Sequence, residues 1–244
     1  MSAAADGPLG RGPEPDRARL AVVFLAGDYD DPAYFRSWAE AADIVVAADG
    51  GARFLLEQGI RPDVVVGDFD SLPTADTKRL ETAGVALVRH PVRKDRTDGE
   101  MAADEALRRA AAELVLVGAL GALDHTLGHL AILRRLAARG VTARLAAPRL
   151  MVRVLQAPDA ARLDAAAGTR VSIVPLQGDA RVSLVGFDYS LCRGVLPQDA
   201  CLGLGNAVVS EARILVHEGA AAALVEDGDE AFGGVRRGRR SAPS

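Results

Sequence analysis

The sequence predicts an α/β protein, with an N-terminal doubly wound parallel sheet followed by a smaller C-terminal antiparallel β domain. Three observations carry that expectation. Between Leu20 and Leu145, short apolar runs rich in β-branched residues alternate with stretches of helical length, the pattern of strands buried on both faces by crossover helices. Each run stops at a loop bearing Gly or Asp, which places polar chemistry beyond the carboxyl ends of the strands, where open α/β sheets bind ligands. After Pro148 the helical period fades and short β runs take over, separated by turns containing Gly, Pro and Asp.

Taken in order, Leu20–Ala26 reads as a strand ending at Gly27-Asp28, and Pro32–Ala41 as a helix. Ile44–Ala48 is a second strand, ending at Asp49-Gly50-Gly51, and Ala52–Gln58 is a helix that stops at Gly59. Val64–Val66, bounded by Pro62 and Gly67, is too short for a helix and suits a pleated, buried strand. A helix follows from Pro73 to near Gly84, then a strand at Val85–Val88, a helix at Gly99–Ala111 and a strand at Leu114–Val117. The helix Leu123–Arg139 ends at Gly140, and Val141–Leu145 closes the parallel part. In the second half, Met151–Leu155, Arg170–Val174, Arg181–Val185, Val208–Val216 and Ala221–Val225 are the expected strands. The expected domains are therefore residues 20–147 and 148–227. Residues 1–19 and the basic tail 228–244 have the composition of disordered ends.

With 49% hydrophobic and 25% charged residues over 244 positions, the composition is that of a soluble globular protein with a substantial core. A net charge of −4 gives no global field to attract nucleic acid or a membrane surface, so neither is an expected partner. Two cysteines without Cys-x-x-Cys spacing argue against a disulfide framework and structural zinc. The N-terminus lacks an apolar signal core and no segment is long enough to span a bilayer, so a cytoplasmic location is expected.

The chemistry gathers at the strand ends. In Gly67-Asp68-Phe69-Asp70-Ser71, an extended backbone turns Asp68 and Asp70 to one side and Phe69 to the core. Paired carboxylates that close raise each other's pKa unless a cation lies between them, so the pair reads as a divalent-metal clamp; a solvated turn with Asx hydrogen bonds is the plainer reading. The neighbouring loops add Asp49-Gly50-Gly51, the basic run Arg93-Lys94-Asp95-Arg96-Thr97-Asp98, and Gly118 and Gly121 with Asp124-His125. Glycines let backbone N–H groups approach an anion and the cations supply local positive charge, so the rim reads as a phosphate site with metal ligands. Walker and G-x-G-x-x-G patterns are absent. His90, His129 and His217 read as structural.

The succession Asp49-Gly50-Gly51-Ala52, Gly-Ile-Arg-Pro-Asp (59–63), Gly-Asp-Phe-Asp-Ser (67–71), Lys-Asp-x-Thr-Asp-x-Glu (94–100) and Leu-Asp-His-Thr-Leu (123–127) closely resembles the thiamine pyrophosphokinase family. Val171–Leu176, Gly186–Leu191 and Gly203-x-Gly205-Asn206 resemble that family's thiamine-binding β domain. The resemblance implies a magnesium-dependent transfer of the diphosphoryl group of ATP to thiamine, releasing AMP, in a homodimer whose sites lie between one subunit's catalytic domain and the other's β domain. Carried onto this sequence, it implies that Asp68, Asp70 and Asp98 hold the metal, and that these three with Asp124 are catalytic. Asp49, Gly50, Gly51, Lys94, Arg96, Thr97, Gly121 and His125 would meet ATP and its phosphates. Tyr189, Gly205 and Asn206 would meet the acceptor.

The sequence also departs from the family pattern. Ala122 stands where the family has Arg, Arg53 where it has Asn, and Gly205-Asn206-Ala207 where it has Ser-Asn-Glu. An acceptor pocket that loses donors changes its recognition. Two alternatives follow: a diphosphokinase for another alcohol, such as a pterin or a thiamine analogue, and a nucleotide-binding module of the same fold without turnover.

Overall fold

The structure is a computed structural model and describes residues 19–70, 72–91, 95–227 and 231–232. Ser71, Arg93 and Lys94 therefore lie outside the described residues, as do residues 1–18 and most of the tail.

The parallel half contains β1 (Leu20–Phe24), α1 (Pro32–Ala41), β2 (Ile44–Ala48), α2 (Gly50–Glu57), β3 (Val64–Gly67), α3 (Thr74–Thr82), β4 (Ala86–Arg89), α4 (Asp98–Arg108), β5 (Glu113–Val117), α5 (Leu123–Ala137) and β6 (Thr142–Ala147). The sheet order β6-β5-β1-β2-β3-β4 reverses direction between β1 and β5, and all five pairings are parallel. Alternate side chains of each strand serve opposite faces. Ala21, Val23 and Leu25 pack under α4 and α5 with Met101, Ile132 and Leu133. Leu20, Val22 and Phe24 pack under α1 and α2 with Phe35, Trp38, Phe54 and Leu55. Both faces are thus covered, which is why the strands read as unbroken apolar runs.

The second half is antiparallel: β7 (Leu150–Gln156), β8 (Asp159–Leu163), β9 (Arg170–Pro175), β10 (Ala180–Phe187), β11 (Leu191–Leu196), β12 (Asn206–Glu218) and β13 (Ala220–Glu226). Its own core includes Leu155, Ile173, Val182, Phe187 and Ile214. β7 pairs antiparallel with β6, so one sheet path runs β11-β10-β12-β9-β13-β7 and on into the parallel half, while β8 pairs with β12. Two strands escape the sequence pattern. β8, Asp-Ala-Ala-Arg-Leu, has no β-branched residue, and β11 carries Gly194; cross-strand pairing to β12 and β10 decides both.

Two residues of the tail are described, and both are packed. Ala231 is buried and its carbonyl accepts the Asp164 N–H at 2.8 Å, while Phe232 packs against two of the apolar clusters. At the other end, Arg19 is tied in through its carbonyl, which accepts from Ala112 N–H at 2.9 Å. Among the described residues no helix is long and apolar enough to cross a membrane.

Candidate active site

Beyond the carboxyl end of β3 the chain turns sharply. Phe69 adopts φ +65°, a left-handed conformation uncommon for a side chain of its size. The extended path expected from Gly67 to Asp70 is therefore replaced by a turn, closed by the Asp70 N–H donating to Asp68 Oδ1 at 3.1 Å. Burial of the Phe69 ring, with the Arg89 guanidinium 4.6 Å from its centroid, holds that turn in place. The carboxylates converge by this route.

The third member of the cluster is Asp49. One oxygen each from Asp49, Asp68 and Asp70 lies within 4.8 Å of the others. Asp49 ends β2 and caps α2 with φ +23°, again strained for a non-glycine residue. Gly67 permits this approach: a Cβ there would stand 3.0 Å from the Asp49 Cβ. Three hard oxygen donors at this spacing suit a magnesium-type cation, and a carboxylate does not itself bind a phosphate. Asp49, expected to meet ATP and its phosphates, thus stands beside the carboxylates expected to hold the metal. Asp98, expected among the ligands, stands outside this trio but close enough that its charge acts on Asp70. The Asp70 carboxyl is held above its ordinary pKa first by its hydrogen bond to Asp68, then by the Asp68 charge, with Asp49 and Asp98 adding to the effect.

The trio borders a cleft of about 550 Å³ lined by Asp49, Thr97, Asp98, Gly121, Asp124 and His129 among others. It opens at the sheet's reversal between β1 and β5, the position where such folds bind ligands. Close backbone packing shapes its floor. A Cβ on Gly27 would lie 2.2 Å from the Gly118 carbonyl oxygen, and one on Gly51 would lie 2.2 Å from that of Phe24. Gly51 therefore brings the first turn of α2 against β1, and the Gly50-Gly51 pair has a packing role whatever ligand it meets. Among the described residues neither N-cap residue, Asp49 of α2 or Ala122 of α5, makes a side-chain cap bond; apart from the His125 N–H, taken by Asp124, first-turn N–H groups and the positive helix ends are left beside Asp49 and Ala122, both of which line the cleft.

Other expected residues have structural partners. Thr97 and Glu100 form a capping box at the start of α4, with Glu100 N–H to Thr97 Oγ1 at 3.2 Å and Thr97 N–H to Glu100 Oε2 at 2.9 Å. The Arg96 guanidinium pairs with Asp104, which also holds Arg135 and Arg139. These cations outweigh burial and keep the Asp104 carboxyl below its ordinary range. Asp124 Oδ1 accepts the His125 N–H at 2.9 Å, and both side chains are exposed at the cleft. His129, read from the sequence as structural, also lines the cleft. Its place one turn after His125 on the same helix face was the available signal.

The expected acceptor residues lie elsewhere. Asn206 is buried; its Oδ1 accepts the N–H of Tyr189 at 3.0 Å and that of Ala207 at 2.9 Å, while Nδ2 donates to the Tyr189 carbonyl at 2.9 Å. Its carboxamide pins the turn after β10, in which Tyr189 is 72% exposed. Gly205, with φ +69°, donates its N–H to Ser172 Oγ at 3.1 Å. Eight inter-strand steps separate β3 from β12 on the sheet path, roughly 38 Å of sheet contour at about 4.8 Å per step. Within one chain the carboxylate rim and these residues are remote along the sheet.

The chain is similar to known proteins in sequence and in fold. Residues 35–145 match the family model described as thiamin pyrophosphokinase, catalytic domain. A thiamine pyrophosphokinase of Bacillus subtilis (strain 168) is 29% identical over 162 residues, 64% of this chain and 75% of that protein. The fold is similar to the solved thiamine pyrophosphokinase of Bacillus subtilis, with TM-score 0.73 and 22% identity over 85% of this chain and 99% of that one. It is also similar to that of Geobacillus thermodenitrificans, with TM-score 0.71 and 26% identity over 85% and 97%. The doubly wound sheet and the match to these relatives mark the chain as an α/β enzyme of the diphosphotransferase class. Over residues 35–145 the chain is similar to the thiamin pyrophosphokinase catalytic domain, and its fold is that of the solved thiamine pyrophosphokinases.

Proposed function

We propose that this protein is a thiamine diphosphokinase, using ATP and Mg²⁺ to make thiamine diphosphate and AMP. The observation that carries the reading is the convergence of Asp49, Asp68 and Asp70 at the mouth of the cleft, inside the segment matched by the catalytic-domain model. In the reaction the thiamine hydroxyl oxygen bonds to the β-phosphorus of ATP. The bond from that phosphorus to the α–β bridging oxygen breaks, and AMP leaves with that oxygen. Such transfer depends on positioning and charge neutralisation more than on covalent chemistry.

Asp49, Asp68 and Asp70 would hold the metal, which supplies neutralisation of phosphate charge when bound. The uncapped starts of α2 and α5 offer N–H groups to phosphate oxygens from opposite sides of the cleft. Asp98, which faces the cleft outside the trio, is assigned the alcohol proton. His125 and Asp124 border the phosphates. Lys94 is kept as a phosphate cation, whereas Arg96, held by Asp104, acts through the loop that it anchors.

The same reading divides the chain near residue 147 into a catalytic part and an acceptor part, and the end of the matched segment at Leu145 supports that boundary. The long sheet path between the carboxylate rim and Tyr189, Gly205 and Asn206 supports a homodimer in which each site is shared between two copies. Two exposed, unbridged cysteines, Cys192 and Cys201, support a reducing cytoplasm. A diphosphokinase for another alcohol is the second reading, favoured by Asn206, whose carboxamide is engaged by the Tyr189 backbone.

The test is AMP release from ATP and Mg²⁺ by the purified protein, with and without thiamine, the product identified by mass spectrometry. Thiamine-dependent AMP with an equal amount of thiamine diphosphate is expected. Tight ATP binding with no response to thiamine would overturn thiamine as acceptor.

A further inference from the structure

The loop between β5 and α5 crosses the floor of the cleft and is rich in glycine, with Gly118 at φ +61° and Gly121 at φ +150°. From the β1 side it is gripped by close backbone contact at Gly27 and by the Asp28 N–H donating to the Leu120 carbonyl at 3.3 Å. From the α5 side one side chain reaches it. His129 Nδ1 lies 2.7 Å from the Ala119 carbonyl oxygen. Ala119 is almost fully buried, and among the described residues no backbone N–H bonds its carbonyl. A buried carbonyl left without a donor is costly, so this contact specifies the loop's position.

We propose that His129 is a positioning residue that latches the 118–122 loop and thereby shapes the nucleotide side of the cleft. The hydrogen bond requires Nδ1 to carry the proton, which fixes the tautomer of the neutral ring. Burial, and then the neighbouring His125, lower the His129 pKa against the opposing effect of the Ala119 bond, so the ring is neutral at pH 7. Protonation of Nε2 leaves the Nδ1 donor in place, so the latch persists in either charge state. Leu120, Gly121 and Ala122, the residues it steadies, line the cleft together with Asp98 and Asp124. Loss of the latch frees a glycine-rich segment to sample other conformations, which the nucleotide must then reorder on binding.

The functional half of this inference rests on the proposed ATP site, and three variants test it. His129→Leu removes the donor and keeps apolar bulk. His129→Asn keeps a donor at the Nδ1 position. His129→Gln places its amide at the Nε2 position instead. Two readouts are taken: hydrogen exchange of peptides covering 118–122, which needs no ligand, and the Kd for a non-hydrolysable ATP analogue with Mg²⁺. His129→Leu and His129→Gln are expected to speed loop exchange and to raise Kd about ten-fold, with little change in the KM for thiamine, while His129→Asn stays within about two-fold of the parent. Unchanged loop exchange in His129→Leu would overturn the latch. Faster exchange with unchanged Kd would overturn its role in the cleft. If the parent protein binds no nucleotide, the proposed function falls along with the nucleotide half, and the exchange data still decide the latch.

Discussion

Asp70 shows how charge at a single residue connects stability to function. Its carboxyl is held above the ordinary range by Asp68, first through their hydrogen bond and then through charge. A group whose folded pKa exceeds its unfolded value favours the fold while protonated, and that contribution is lost as pH rises through the folded pKa. The metal-free protein should therefore lose melting temperature as pH climbs through the window just above the usual carboxylate value, and Mg²⁺ should restore it at neutral pH. Asp70→Asn should flatten that profile in metal-free buffer, leave the melting temperature undiminished and abolish AMP formation. A drop of several degrees in the variant, seen by calorimetry, would make Asp70 a structural residue instead.

At the scale of elements, the starts of two helices show why residues that look functional also have folding duties. Thr97 caps α4 through a reciprocal bond with Glu100. Thr97→Ala should cost about 1 kcal/mol of stability in urea unfolding, and Thr97→Ser should recover most of it. If the serine variant recovers stability without activity, the methyl group has a role in the cleft. Gly51 brings α2 against the end of β1, where a Cβ would meet the Phe24 carbonyl oxygen at 2.2 Å. Gly51→Ala should destabilise by roughly 2–3 kcal/mol through overpacking against backbone that has little room to yield. Equal midpoints for Gly51→Ala and the parent would show that α2 shifts freely.

For the whole molecule, the sheet continues from the parallel half into the antiparallel half through β6 and β7. Ion pairs mark that passage. Buried Arg144 on β6 meets Glu113 on β5, and its cross-strand neighbour Arg153 on β7 meets Asp159 on β8. Along this sheet path Tyr189, in the turn after β10, is remote from the carboxylates after β2 and β3 of its own chain. A shared site predicts complementation. Asp70→Asn and Tyr189→Ala proteins, unfolded together and refolded as a mixture, should recover about a quarter of the parental sites at limiting thiamine, because half the dimers are mixed and each has one intact site. No recovery above the two separate proteins would place both halves of the site in one chain.

The alternation of apolar runs and helices, the loops after each strand and the pairing of Asp68 with Asp70 were legible in the sequence because they depend on local period and composition. The left-handed turn at Phe69, β8 and β11, and the docking of Ala231–Phe232 were not, because each is decided by burial or pairing against segments distant in the chain. Sequence by itself determined the class of fold and the rim on which the chemistry gathers. Only the tertiary structure brought Asp49 to Asp68 and Asp70, turned Arg96 towards Asp104 and set His129 against the Ala119 carbonyl. A carboxylate, a guanidinium and an imidazole each satisfy several partners equally well, and the choice among them follows from which groups packing places within hydrogen-bonding reach.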